Sequence, residues 1–191
     1  SKVRIARIKL DVAIDPEVED TFFKIAAHGD DELEDISIPL LDEAYQAGMT
    51  IIARESLLAN EALLERNAPL GDDVRARLQR GRLVTDEDVD KAEQVRQSFS
   101  NQIDRLLESF DVILTPGLPI IPPLLSEAGD AAKILPLTRF LRPFNLSGHP
   151  AIVLPILSPK GLPAGIQLVA RKHEDERLCA IARRITETNP F

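Results

Sequence analysis

The sequence predicts an α/β protein with a mixed β-sheet flanked by helices, and three observations carry that prediction. The stretch TDEDVDKAEQVRQSFSNQIDRLLESF returns an apolar residue every three or four positions and then runs straight into the continuous apolar segment DVILT. Ten of the 14 prolines fall between Pro116 and Pro163, where they punctuate short extended segments and exclude long helices. Strand-like and helix-like patterns alternate along the rest of the chain, the order that lays helices against a sheet.

Taken in order, VRIARIKL alternates apolar and basic residues with one slip at Ile5 and Ala6, which reads as a strand. DPEVEDTFFKIAAHG then carries helix punctuation: Asp15 as N-cap, Pro16 at the first position, acids in the first turn, Val18, Phe22, Ile25 and Ala26 on one face, and Gly29 past the end. The acidic run GDDELED reads as a solvated loop, and DISI as a short strand leading into Pro39. Pro39 opens a helical segment whose apolar face is expected at Leu41, Tyr45, Ile52, Ala59 and Leu63. Gly48 inside it costs about 1 kcal/mol against Ala and argues against an unbroken rod.

Thr85 and Asp88 form a capping box with Asp in place of Glu, opening the long helix marked by Val89, Ala92, Val95, Phe99, Ile103, Leu106 and Phe110. Val112, Ile113 and Leu114 follow as a strand buried on both faces. AIVLPIL and AGIQLVA flank the turn segment SPKGLP as a hairpin, and Pro155, which gives no ladder donor, makes the first of them an edge or bulged strand. EDERLCAIARRITE closes the chain as a helix, acidic at its start and with Arg183 and Arg184 nearer its end.

Composition excludes several functions. No apolar run approaches the roughly 18 to 20 residues that a membrane span needs, so no membrane partner is expected. The formal charge of -8, from 31 acidic against 23 basic residues, repels phosphate backbones and excludes nucleic acid as a direct partner. The single cysteine, Cys179, permits no internal disulfide, points to a reducing cytoplasm, and is expected as a buried small apolar residue among Leu178, Ala180 and Ile181. The N-terminus has neither Met nor a signal-like pattern, so Ser1 reads as an artificial or cleaved start.

The residues with chemical potential do not assemble into a recognisable site. Ser147 and His149 stand two apart in NLSGHP without a G-x-S-x-G elbow, and such close neighbours seldom face each other usefully. The simpler reading has Asn145, Ser147 and Gly148 closing a helix and turning the chain into the strand after Pro150. His28 reads as a surface residue at the end of the first helix. His173, with Glu174, Asp175 and Glu176, reads as first-turn charge complementation, unsupported by an H-E-x-x-H or C-x-x-C pair. No glycine loop of phosphate-binding type occurs, so neither metal nor cofactor is expected.

Three motifs in register nevertheless resemble a known family. FDVILTPGLPIIPP, TRFLRPFNLSGHPAIVLPI and GLPAGIQLVARKHEDERLCAIARRI follow one another as in the C-terminal part of amidase-signature enzymes, a family of serine amidohydrolases. The resemblance is strongest over residues 104–187 and weaker over 2–103. It implies the C-terminal part of the amidase-signature fold and an enzyme that cleaves carboxylic amides to acid and ammonia or amine. The family uses a serine nucleophile, a second serine bridging through a cis peptide, and a lysine as ultimate base.

In that family the lysine and both serines lie N-terminal to everything seen here, the serines in a Gly/Ser-rich run that this chain lacks. Its nine serines are scattered, and Lys160 has no nucleophile at the family's place. No catalytic residue transfers, and the chain alone is expected to be inactive. What transfers is a substrate-binding wall: Pro116 and Gly117, where Gly117 replaces the family's threonine, with Thr138 and Arg139. The resemblance offers Arg139 a substrate carboxylate or amide oxygen, against the alternative of a bridge to the acid-rich helices. The expected organisation is one partial domain over 1–191, mainly helical over 1–110 and rich in strands and loops over 111–191. Its expected partner is a small-molecule amide, with a homodimer as the outcome if apolar strand edges stay uncovered. The alternative is a non-catalytic binding or assembly module on the same scaffold.

Overall fold

A computed structural model of the chain describes residues 2–25, 29–127, 129–130 and 134–189. Its strands are β1 (Arg4–Ile8), β2 (Glu32–Ile36), β3 (Val112–Pro116), β4 (Ala151–Leu157) and β5 (Pro163–Val169). Its helices are α1 (Pro16–Phe23), α2 (Leu41–Glu65), α3 (Asp72–Gly81), α4 (Asp86–Ser109), α5 (Arg142–Ser147) and α6 (Asp175–Thr188), with 3-10 turns at Leu125–Glu127 and Leu135–Thr138. The five strands form one mixed sheet in the order β2-β1-β3-β5-β4: the first three are parallel, and β5 runs antiparallel to both neighbours.

Directly paired residues share a face of the sheet, which fixes the layers. Thr115, Gln167 and Val153 pair in a row and point to one side; Arg7, Leu114, Leu168 and Ile152 point to the other. The Arg7 guanidinium lies 4.9 Å over the Phe23 ring, so α1 covers the second side. Helix α6 packs on β4 and β5 and joins it there, because Leu154 and Ile156 are buried while Val153 and Leu157 are not. The first side is covered around Gln167 by Phe140, Phe144 and Phe99, with α2, α4 and α5 packed beyond them. The core lies between, and all five residues of β3 are buried, as the apolar run required.

The capping signals hold. The Asp15 carboxylate accepts from the Glu17 N–H at 2.9 Å, and the Thr85–Asp88 box is reciprocal, with Thr85 Oγ1 accepting from the Asp88 N–H at 3.1 Å. Helix α1 ends at Phe23 with Ile25 buried beyond it. Ala26 and His28 lie outside the described residues.

Three expectations are corrected. The acidic run is not a solvated loop: residues 32–36 form edge strand β2, three positions upstream of DISI, because its carboxylates meet basic residues in and just before β1, Asp35 with Arg7 at 2.6 Å and Glu32 with Lys2 at 2.5 Å. Helix α2 is unbroken through Gly48, and it buries Ala44, Ala47, Gly48, Ile51 and Leu57, leaving Ile52 and Ala59 exposed. Small residues select that face, since a Cβ on Gly48 would lie 2.8 Å from Arg142 Cγ of the crossing α5. Cys179 is exposed, because Leu178, Ile181, Ala182 and Ile185 form the buried stripe of α6 and position 179 falls off it.

Two aspartates anchor the sheet at the end where the parallel strands begin. Asp31 accepts from the Val3 N–H at 2.8 Å and from Arg184 at 2.7 Å, with its side chain 2% exposed. Asp111 accepts from the Arg4 N–H at 2.8 Å and pairs with Arg177.

Candidate substrate-cleft wall

Pro116 and Gly117 lie at the carboxyl end of β3, and Arg139 borders a cavity with Ile8 and Leu10 at the carboxyl end of β1, the ends at which open α/β sheets place their ligands. Pro116 ends β3 opposite Ile166, and the Gly117 N–H donates to the Gly165 carbonyl at 2.7 Å. A Cβ on Gly117 would sit 3.2 Å from the Gly165 backbone and 3.4 Å from Val153. That close approach leaves little room for a side chain at position 117.

Gln167 ties this strand end to the second predicted segment. Its buried amide nitrogen donates to Thr115 Oγ1 at 3.0 Å and to the Phe140 carbonyl at 2.9 Å, while the Thr115 hydroxyl donates to the Pro116 carbonyl at 2.9 Å. Residues 115–117 and 138–140 are thereby brought together. The clue in the sequence was one amide inside the apolar run AGIQLVA, and a buried polar residue is the informative exception.

Thr138 Oγ1 accepts from Arg142 at 3.1 Å. One terminal nitrogen of Arg139 donates to both carboxylate oxygens of Asp42 at 2.6 and 2.7 Å, at the start of α2. Arg139 is therefore the bridge to an acidic helix in this structure. It also borders a cavity of about 210 Å³ with Ile8, Leu10, Asp42 and Phe140, and its Nε is buried without a hydrogen-bond partner.

Ser147 and His149 sit at the opposite end of the sheet, and they do face each other. Gly148 takes φ +74°, a left-handed turn that folds the chain back at the end of α5. Ser147 Oγ lies 2.9 Å from His149 Nδ1 and 3.1 Å from the Phe144 carbonyl; His149 Nε2 lies 3.0 Å from Asp104 Oδ1. Lys172 donates to Ser100 at 2.6 Å and to Asp104 at 3.3 Å.

Burial holds the imidazole pKa below its ordinary value against the pull of Asp104, with Lys172 lowering it further. A neutral ring donates from Nε2 to Asp104, and its Nδ1 shares the one Ser147 hydroxyl proton with the Phe144 carbonyl. The His149 side chain is 0% exposed, and the depression beside it, about 410 Å³, is lined by His149 and Lys172 but not by Ser147. The array joins α4, α5 and β4, and presents its hydroxyl to the interior.

Lys160, in the hairpin turn, pairs with Glu17 of α1. The lysine holds that carboxyl below the usual range, helped by Ser158, and Glu17 raises the ammonium. His173 is exposed and precedes α6 at φ +68°. Among the described residues no group of three or more His, Cys, Asp or Glu is placed to hold a metal ion, and no helix is long and apolar enough to cross a membrane.

Comparison with known proteins supplies the lineage. The chain is 34% identical over 131 residues to a glutamyl-tRNA(Gln) amidotransferase subunit of Pseudothermotoga lettingae, covering 66% of this chain and 28% of that protein. It is 30% identical over 143 residues to the Thermotoga maritima protein of the same name, covering 72% and 30%. The chain thus spans well under half of these relatives. The crystal structure of the Thermotoga maritima protein superposes with a TM-score of 0.77 at 25% identity, over 100% of this chain and 43% of that one. A crystal structure of an amidase gives 0.83 at 24% identity, over 99% and 46%, and shares the fold. Finally, the model of the family described as Amidase matches residues 1–179, nearly the whole chain, and the chain belongs to that family.

Proposed function

We propose that this chain is the C-terminal portion of an amidase that hydrolyses carboxylic amides to acid and ammonia or amine, as one partial domain working in the cytoplasm. The nucleophilic serine, the bridging serine and the lysine base belong to polypeptide outside residues 1–191. The chain supplies a wall of the cleft: Pro116 and Gly117 as its floor, Thr138 and Arg139 as its polar side, facing a small-molecule amide. One observation carries the reading. The whole chain superposes on amidases at TM-scores of 0.77 and 0.83, yet its nine serines are scattered and none lies in a Gly/Ser-rich run that would hold an oxyanion.

The Arg139–Asp42 pair favours a second reading, a binding or assembly module on the amidase scaffold, since it occupies the cation that would meet substrate. The two readings separate by assaying the isolated chain and the longer polypeptide encoded with it on simple amides. Hydrolysis by the longer polypeptide alone supports the first. Equal activity in both, or a longer polypeptide without the lysine and serines, overturns it.

A further inference from the structure

The loop after β3 and the segment before Thr138 enclose a second hollow beside the proposed wall. It is an open depression of about 630 Å³, with Asp15 at the start of α1 on one side and Leu162 of the hairpin turn on another. Pro119, two residues past Gly117, lines it, and so does Leu137, the residue before Thr138, so the hollow adjoins both wall segments. The Asp15 N–H donates to the Pro119 carbonyl at 2.8 Å and fixes the loop against α1, while the Lys160–Glu17 pair holds the hairpin turn to the same helix. The walls are pre-formed, as those of small-molecule sites usually are.

Its chemistry is one-sided. Four of the lining residues are prolines, which bring no N–H, and the N–H groups of Asp15, Leu124 and Leu162 donate within the chain, to Pro119, Glu127 and Ser158. The two ionisable residues that line it, Asp15 and Glu127, are both acids, and Leu124 (69% exposed) and Leu162 (39%) add open apolar surface. A carboxylate entering here would lose its water without gaining donors, and it would meet charge of its own sign. A hydrocarbon gains from leaving water, and since an apolar cavity of about 150 Å³ already holds benzene, there is room for a ring or a chain of several carbons.

Resting on the amidase reading above, we infer that this depression is the substrate-selecting side of the cleft: it takes the hydrocarbon arm of a neutral amide, aliphatic or arylalkyl, and turns away an amide whose arm ends in a carboxylate. Leu137 lines this hollow, while Arg139, two residues on, borders the polar cavity of about 210 Å³ and has its Nε without a hydrogen-bond partner. The substrate is thereby sorted into a polar head on the Arg139 side and an apolar tail on the proline side.

Two measurements test the hollow, one of binding and one of turnover. In methyl-group NMR of the chain itself, pentanamide is expected to shift the methyls of Ile120, Leu137 and Leu162, and glutaramic acid, of the same chain length but ending in a carboxylate, to leave them in place. In the longer polypeptide, kcat/KM is expected to be at least tenfold higher for pentanamide than for glutaramic acid or acetamide. Leu162→Arg is expected to slow pentanamide, speed glutaramic acid and cut the preference at least tenfold, and Leu124→Arg gives the same reading if that chain fails to fold. Leu83→Lys, an exposed position on the turn before α4, leaves the preference unchanged. Methyls that ignore pentanamide, or a preference indifferent to both arginines, would overturn the proposal. Methyls that respond while hydrolysis shows no preference would mean that other polypeptide covers the hollow, and would overturn it too. A longer polypeptide that cleaves none of these amides sinks the amidase reading, whereas one that cleaves all of them alike sinks only the substrate-selecting hollow.

Discussion

At the residue scale, His149 shows how burial decides between two chemistries for one side chain. The imidazole faces Ser147 on one side and Asp104 and Lys172 on the other, and its pKa in the fold lies below the 6.5 of the unfolded chain. Between those two values the unfolded chain takes up a proton that the folded chain refuses. Stability therefore falls as pH drops through 6.5 and levels off once the folded ring titrates. The lowered carboxylates, such as Asp35 and Glu32, act only below about 4.5, so the interval from pH 7.5 to 5.5 isolates the histidine. Urea midpoints across that interval are expected to decline for the parent chain and stay flat for His149→Gln.

Sequence proximity alone left the Ser147–His149 contact invisible, because its third member, Asp104, lies 45 residues away and only the fold brings it in. Gln167 carried a readable signal, a lone amide in an apolar run. Its partners Thr115 and Phe140 did not, since they belong to two distant segments.

At the element scale, size outranks hydrophobicity wherever helices cross. The expected face of α2 followed its large apolar residues, while the buried one follows Ala44, Ala47 and Gly48. Gly81, the last residue of α3, makes the same point more sharply: a Cβ there would stand 2.4 Å from the Ala53 carbonyl oxygen, which is backbone and cannot swing aside. Replacing a helical glycine by alanine ordinarily gains about 1 kcal/mol, but overpacking costs about 1–3 kcal/mol and prevails here. Gly81→Ala is expected to lower the free energy of unfolding in urea, and a stabilised variant would contradict the contact. Helix α3 itself escaped the sequence reading because DDVRARLQRG offers only Val74 and Leu78 as large apolar marks, and Val74 is exposed. The acidic strand β2 escaped for another reason: its partner charges lie on β1, and cross-strand pairing is written in two segments at once.

For the whole molecule, the alternation of strands and helices was legible because periodicity records burial, and the fully buried β3 and the proline-bearing edge strand β4 followed from single runs of residues. The order β2-β1-β3-β5-β4 was not legible, since it rests on contacts between segments far apart in the chain. The proposed cleft wall divides in the same way: its motifs were visible in three runs, and the Asp42 that engages Arg139 lies 97 residues from it.

The two aspartates at the start of the parallel strands bear on how far the chain can be shortened. The family match stops at Cys179, part way along α6, which would suggest that the last residues are a trimmable tail. Arg184 lies beyond that point and neutralises Asp31, an almost wholly enclosed carboxylate that also holds the Val3 amide. A stop codon after Cys179 would strand that charge in the interior and strip Ile181, Ala182 and Ile185 from the underside of the hairpin. Circular dichroism of the shortened protein should then show lost cooperativity, whereas a sharp melt like that of the parent would mean the final turns are ornamental.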